Sequence, residues 1–553
     1  MNRIPKPGEV GYLDPQEDGV SLLPMTDEQK KLKALIARRH PEYEENLDHW
    51  LFLEETYEGG REWFKKNTFR YIKEGDQEFK DRLERCYRFN HSREVVDLIN
   101  KYLFKQNIVR STDAPDSVKA FWKRATKTGL SIKDFMRQVS KKTSMSGRIA
   151  IVVDTTAPAD AVLSKAEARR LGVATYAYTV GPEHLLDYSY DEHGALNWAL
   201  IRECVRDDAD PMTSSGKEGY RFRLWTKLEW ALFEEQGQGV RKKVVLIDRS
   251  RHNLGVVPIV LADHILTDEE YESSAMIDDI AYLDRAVANY LSNLDAIIQD
   301  QTFSQLAMPA QNVLPGEDNY TKLVEMGTKR VFLYDGEGGA QPFYLSPDPK
   351  QAGMLLAVIN KIIGEIYHTV GLAGERTKQD NAVGIDNSSG VAKAYDFERV
   401  NALLAAKADS LEVIENKIAL LVALWNDEVS QMKEDFVSYP DNFDTRGLYD
   451  EFDIAARLML IDAPDTVRQE QMRMVLDKLF PQLAADLRKK MEEDLKNWPV
   501  DPVELAAQLA SVNGKDPTNS ESIKKSNTPT PAGGDGKTPT KDKRQGQVTK
   551  TSK

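Results

Sequence analysis

The stretch MIDDIAYLDRAVANYLSNLDAIIQDQ, residues 276–301, repeats its apolar side chains at three- and four-residue steps: Ile280, Leu283, Val287, Leu291, Leu294 and Ile298. That is the period of a helix with one buried stripe. Counted from Glu272, it predicts a rod of roughly 40 Å at 1.5 Å per residue. Pro309 and Pro315 end it, and a Gly- and Pro-containing segment follows in which LVEMG and RVFLYDG read as short strands and QPFYLSP leads out. A second helix is expected from Pro349 to about Val370, with its early prolines suited to a first turn. Two helices bracketing a compact insert predict an antiparallel pair with the insert at the far tip. Such a rod is too thin to bury its own faces, so copies of itself are expected to cover the rest, in a ring or bundle.

Outward from this hairpin the pattern changes twice. Residues 1–147 read helical, with starts at Thr26 or Asp27, Pro41 and Ser131 and a stop at Gly147. From Arg148 to Asp263 the period drops toward two: RIAIVVDTT, TYAYTV, LLDYSY, LNWALIRECVRD, then Tyr220, Phe222, Leu224 and Leu228, Trp230, Leu232. A β-rich domain is expected there, with a helical decoration near Ser164–Leu171. After Val370 come nineteen residues of loop chemistry, LAGERTKQDNAVGIDNSSG, a connection long enough to suggest function or disorder. Ser388-Ser389-Gly390 reads as the cap of the longest helix, whose stripe runs Phe397, Val400, Leu404, Ala408, Leu411, Ile414, Ile418, Leu421, Trp425. Beyond FVSYPDNFD, further helices are expected over Leu448–Ile461, Val467–Phe480 and Leu483–Leu495. The fold class is α+β and predominantly helical.

Charge and composition exclude several functions. The formal charge is −14 over 553 residues, which argues against stable grip on nucleic acid by phosphate neutralisation. It divides unevenly: residues 513–553 hold nine basic and four acidic side chains, a tail of +5 expected from its composition to be disordered, and the 512 before it carry −19. Two cysteines cannot build a disulfide framework, and MNRIPKPGEVGYLDPQ lacks an apolar signal core, so a soluble protein of a reducing compartment is expected. No phosphate loop, H-E-x-x-H, paired C-x-x-C or G-x-S-x-G occurs, so neither enzyme chemistry nor a cofactor or metal is expected. His184, Asp187 and His193 around a hairpin are the one weak constellation for a hydrolase or metal site. Asp207, Asp208 and Asp210 lack calcium-loop spacing.

The order of these parts resembles a tailed-bacteriophage portal protein, the ring at one capsid vertex through which DNA passes. RHPEYEENLDHWLFLEETYEGG is similar to that family's N-terminal helical segment, and HNLGVVPIVLA to the end of its wing. Residues 276–301 are similar to its first stem helix, and SSGVAKAYDFERVNALLAAKADSLEVIENKIALLVALW to the long helix after its tunnel loop. The likeness extends from about Arg39 to Leu495. It implies a wing up to about Ser274, stem helices at Ala275–Gln299 and Pro349–Val370, and a clip at Asp300–Asp348 between them. It further implies a tunnel loop at Leu372–Gly390, a long wing helix from Val391 to about Asp435 and a crown over Phe436–Val512.

The resemblance implies a homo-oligomeric ring, typically of twelve subunits, in the virion and in the host cytoplasm during assembly. Double-stranded DNA would pass through it during packaging and ejection. The terminase large subunit, a head–tail adaptor, the major capsid protein and a scaffolding protein would be partners, with no membrane involved. Lys350, Met354, Ala357, Lys361, Glu365 and His368 form a polar-and-small stripe on the second stem helix, opposite Leu355, Val358, Ile359, Ile362, Ile363 and Ile366. The first stripe is expected to face the channel; a solvent-exposed outer face is the other reading. In the loop, Arg376 and Lys378 nearly cancel Glu375 and Asp380, while Gly374 and Gly384 supply backbone freedom, so contact with DNA is expected to be steric rather than a basic clamp. A helical scaffolding or internal virion protein without a channel is the alternative.

Overall fold

The computed structural model describes residues 26–498. Excepted are 73, 158–166, 168–169, 238–242, 253, 272, 303–304, 310–330, 335–340, 346–348, 373–389, 432–434, 442, 444–463, 480–484 and 497. The expected Ser164–Leu171 decoration falls largely outside the described residues. The LVEMG strand, the Ser388–Ser389 cap, the Leu448–Ile461 helix and the C-terminal tail fall wholly outside them. The chain divides into two units, residues 1–443 and 444–553.

In the first unit, α1 (Asp27–Ile36) starts where Thr26 accepts a hydrogen bond from the Gln29 amide, and α2 (Pro41–Glu58) carries proline at its first position. Next come α3 (Arg61–Asn67), α4 (Asp76–Arg85) and α5 (His91–Leu103). After the two-residue strand β1 (Val109–Arg110), α6 (Asp116–Lys123) and α7 (Ile132–Ser146) follow. Ser131 caps α7, and Gly147 ends it at φ +78°; a Cβ there would lie 1.8 Å from the Ser273 carbonyl oxygen.

The β-rich segment folds as two sheets rather than one. In the first, β2 (Arg148–Thr155) is central between β3 (Thr175–Val180) and β9 (Ile259–Asp263), all antiparallel. Its unbroken apolar run has a cause: Ile149, Ile151 and Val153 enter the core under the helices, while Ala150 and Val152 enter a second core. A strand covered on both faces loses the period of two. The second sheet is a five-stranded antiparallel meander of β4 (Leu185–Tyr190), β5 (Leu196–Arg206), β6 (Glu218–Thr226), β7 (Glu229–Gln236) and β8 (Lys243–Arg251).

The expected alternation on β6 and β7 holds only in part. Phe222 and Leu232 are buried, but Tyr220 is exposed and Leu228 sits exposed in the turn between the two strands. Trp225, off the expected stripe, is wholly buried, with the rings of Trp230 and His252 beside it.

Helix α8 (Asp278–Thr302) is the rod predicted from the opening stretch, 25 residues or about 37 Å. A small sheet follows in the order β11-β10-β12, with β10 (Gln305–Pro309) parallel to β11 (Val331–Tyr334) and antiparallel to β12 (Phe343–Leu345). The sequence reading named β11, took the segment of β12 only as a lead-out, and passed over β10. Antiparallel pairing of the strand that leaves α8 with the strand that enters α9 (Pro349–Thr369) brings those helix ends together, so the helices run back along each other.

Helix α10 (Gly390–Trp425) spans 36 residues, about 54 Å, with Leu404, Ala408, Leu411, Ile414, Ile418 and Val422 in the core shared by α5, α7, α8 and α9. It ends ten residues short of the expected Asp435. Asp427 turns the chain at φ +55°, and a single 3-10 turn, Val429–Gln431, follows. Residues 436–443, read as the start of a crown, belong to the first unit: β13 (Val437–Ser438) pairs with β1, and Phe436, Tyr439 and Phe443 are buried in the main core. In the second unit, α11 (Asp465–Leu479) packs on α12 (Ala485–Lys496), and Gln469 donates to the Trp498 carbonyl at 2.5 Å.

Candidate functional site

The predicted site lies on the α8–α9 pair and the loop after it. On α9, Ile359 and Ile366 are buried and Leu355, Ile362 and Ile363 half-buried against α8 and the core. Val358, expected on that side, is exposed: at 100° per residue it stands a quarter turn from Ile359. Lys350, Met354, Ala357, Lys361, Glu365 and His368 are all exposed on the single subunit, on the side of the helix away from Ile359. Lys361 bonds to Glu365 one turn on and holds that carboxyl below the usual range. His368 accepts from Arg399 of α10 at 3.2 Å, and the Arg399 guanidinium also donates to the His368 carbonyl at 3.4 Å. Beyond it Gly371, at φ +73°, lets the chain turn tightly against Arg399 and Val400. Gly374, Glu375, Arg376, Lys378, Asp380 and Gly384 lie outside the described residues.

What fixes this surface in space is a set of polar contacts the sequence reading missed. A second stripe runs along α8 at three- and four-residue steps, Asp278, Tyr282, Arg285, Asn289 and Ser292, and it grips the N-terminal helices. His49 meets Asp278 and Tyr282, each at 3.0 Å. The Ser92 amide and hydroxyl donate to Asp284 at 3.2 and 2.9 Å, and Asn289 accepts from the Phe69 amide at 2.9 Å while donating to the Asn67 carbonyl at 3.0 Å. Arg82 donates to Ser292 at 3.1 Å, pairs with Glu74 at 2.7 Å and lies 4.0 Å over the Tyr71 ring. Arg88 stacks 3.9 Å over Trp63, near the buried Asp284, and burial lowers its pKa. The periodicity was visible as a polar stripe beside the apolar one; its partners, over 180 residues away in sequence, were not. On α9 the missed residue is Tyr367, which is 3.1 Å from His91 and donates to Glu94 at 2.5 Å, pinning the end of the helix to the start of α5.

The seam between α10 and the chain after it is ionic. Arg110 donates two bonds to Glu415, at 2.7 and 3.1 Å, and Tyr439 donates to the same carboxylate at 2.7 Å. Burial first, and Glu415 second, push the Tyr439 phenol well up.

The weak hydrolase constellation is not brought together. Asp187 pairs with Arg38, His184 takes a hydrogen bond from Arg202 at 3.4 Å, and His193 stands exposed in a turn organised by Asp191. Among the described residues no group of three or more His, Cys, Asp or Glu side chains could hold a metal ion, and no helix is long and apolar enough to cross a membrane. Asp207 and Asp210 close the β5–β6 loop, accepting from Ser215 and Thr213, each at 2.8 Å.

Among solved structures, a chain from the neck of an empty gene transfer agent particle, computed with C6 symmetry, is 12% identical with a TM-score of 0.36, covering 68% of this chain and 90% of its own. A chain from the virion of the native gene transfer agent particle is 10% identical with a TM-score of 0.35, at the same coverage. No curated protein matches. The family model described as "Phage portal protein, SPP1 Gp6-like" matches residues 37–435, which hold α2 through α10, and the chain therefore belongs to the SPP1 Gp6-like phage portal protein family.

Proposed function

We propose that this chain is the subunit of a portal ring at one capsid vertex, a conduit for DNA during packaging and ejection. The observation that carries the reading is the family match over residues 37–435, which encloses both rod helices, the sheet between them and the long helix. In this reading α8 and α9 form the stem, residues 300–348 the clip, and the exposed stripe from Lys350 to His368 faces the channel. The remaining flanks of α9 pack against neighbouring subunits, in a ring of the twelve typical of the family. The terminase large subunit and the head–tail adaptor dock on the ring, which contacts the major capsid and scaffolding proteins and resides in the virion.

The charge suits the task. A bore that neutralised many phosphates would hold DNA through counterion release and act as a brake. Here each subunit would present two lysines, one of them bonded to Glu365. The chain lacks a phosphate loop, so ATP-driven movement falls to a separate terminase subunit, and the purified protein should turn over nucleotide only at background.

Electron microscopy of purified protein tests the reading. Rings with an axial hole wide enough for duplex DNA support it; filaments or compact dimers would instead favour a scaffolding role. Lys350→Ala with Lys361→Ala tests the stripe: rings should form while DNA packaging or retention changes. Loss of the rings would place these lysines at subunit contacts instead.

A further inference from the structure

Lys407 lies in the middle of α10 and is wholly buried, and no carboxylate pairs with it among the described residues. Its Nζ sits 2.7 Å from Nδ1 of His264 and donates to Thr143 Oγ1 at 3.0 Å. Thr143 directs its own hydroxyl proton back along α7, to the carbonyls of Val139 and Ser140, so it can only accept from the amine. Three pieces of chain converge here. His264, just after β9, donates its amide to the Gly147 carbonyl at 2.7 Å. Ser410, one turn along α10, donates to the Asp263 carbonyl at 2.8 Å. Met276, at the entry to α8, donates its amide to the Ser144 carbonyl at 3.0 Å.

A nitrogen–nitrogen contact of 2.7 Å requires a lone pair on one side, so the two bases cannot both be fully protonated. An ammonium without a counter-charge in this core is strongly disfavoured. Burial lowers Lys407 well below the ordinary lysine range. Burial and then Lys407 lower His264 in the same direction. Burial thus favours the neutral amine and the neutral imidazole over their charged forms.

Charges on the surrounding elements are already committed. Arg148 of β2 pairs with Asp263 of β9 at 2.5 Å, and Arg110 of β1 with Glu415 of α10 at 2.7 Å. Lys142 of α7 donates to Thr179 at 2.9 Å, Lys141 of α7 pairs with Asp97 of α5 at 2.7 Å, and Lys119 and Asp116 face each other within α6. His91 and Glu94 of α5 meet Tyr367, Asp278 of α8 meets His49, and Glu412 of α10 accepts from the Tyr439 amide. Asp409 is exposed.

We propose that Lys407, His264 and Thr143 form a proton-linked latch. Closed, with both bases neutral, it ties the long helix to the end of α7 and to the linker between β9 and α8. A proton taken up there leaves an uncompensated charge in the junction and loosens it. Arg399, two turns earlier on α10, holds the end of α9, so a loosened junction frees both helices from the sheet. That last consequence for a conduit rests on the portal reading; the proton linkage does not.

The sign follows from the lowered basicity. Each base binds a proton more readily when the junction is open than when it is closed, Lys407 below its unperturbed value and His264 only below about 6.5, so opening is favoured as pH falls. From the unperturbed lysine value of about 10.4 downward, the opening equilibrium should rise about tenfold per pH unit until the closed latch itself protonates. Below about 6.5, His264 adds up to a further tenfold per unit.

Hydrogen exchange of the full-length protein between pH 9 and 5, corrected for intrinsic exchange, reads this in peptides covering 132–147, 259–277 and 400–414. The wild type should show the tenfold slope and Lys407→Met should lose it. His264→Gln should keep the slope above pH 6.5 and lose the added steepness below. Equal slopes in wild type and Lys407→Met, or a flat wild type, would overturn the latch. If Lys407→Met does not fold, unchanged steepness below pH 6.5 in His264→Gln overturns it on its own. None of these outcomes depends on whether the protein conducts DNA.

Discussion

Glu415→Ala isolates the ionic seam at the end of the first unit. The carboxylate is 1% exposed and receives three hydrogen bonds, two from Arg110 and one from Tyr439. Removing it leaves a mostly buried guanidinium without its counter-charge and a buried phenol without its acceptor. Breaking a buried pair from one side costs about 3–5 kcal/mol, and the stranded hydroxyl, which shares that partner, brings the total toward the upper end. Against a typical domain stability of ~5–15 kcal/mol this is a third or more. Glu415→Gln keeps an acceptor for Tyr439 and should lose less. Urea unfolding of the full-length protein gives the total. Hydrogen exchange across 109–111 and 436–440 shows whether the β1–β13 pairing opens first. A Glu415→Ala protein within about 1 kcal/mol of wild type, with that pairing intact, would refute the assignment of the seam to this triad.

Tyr176, Tyr178, Tyr271 and Tyr439 all have raised pKa values, burial being the first cause of each. Above pH 10 the unfolded phenols ionise while these stay neutral, so stability falls as pH rises. Absorbance at about 295 nm should show them titrating only with unfolding. Gly147→Ala combines a left-handed φ with a 1.8 Å collision against backbone and should cost several kcal/mol, at least the ~1–3 of the strain alone, read as a lower melting temperature. Leu228→Ser, in an exposed turn, should stay within ~0.5 kcal/mol of wild type. A measurable loss there would show that the β6–β7 turn is buried in the assembled state.

The helices were legible wherever one face is apolar and the ends carry caps: Thr26, Pro41, Ser131 and Gly147 mark boundaries in sequence and structure alike. The strands were found as strands, yet their division into two sheets was not readable. It depends on β9, some hundred residues after β2, returning to pair with it. β10 was missed because QLAMP holds no alternating pattern and ends in proline, a residue that argues against a central strand, although here it takes only the last position of one. At the candidate site, the sequence carried the exposed stripe on α9 but not the contacts that hold it. Arg82, Arg88, His91 and Lys407 stand in no motif that marks them for burial, and only the tertiary fold buries their side chains.

The polar stripe on α8 has a consequence for ionic strength. The Arg82–Glu74 pair and the stacked Arg88 sit where mobile ions do not reach, so added salt should leave the footing of the rod unchanged. Lys361 and Glu365, by contrast, face solvent, and their attraction fades as the Debye length shrinks from about 10 Å at 0.1 M to about 3 Å at 1 M. One hairpin thus joins a foundation indifferent to electrolyte to an outer stripe that is tuned by it.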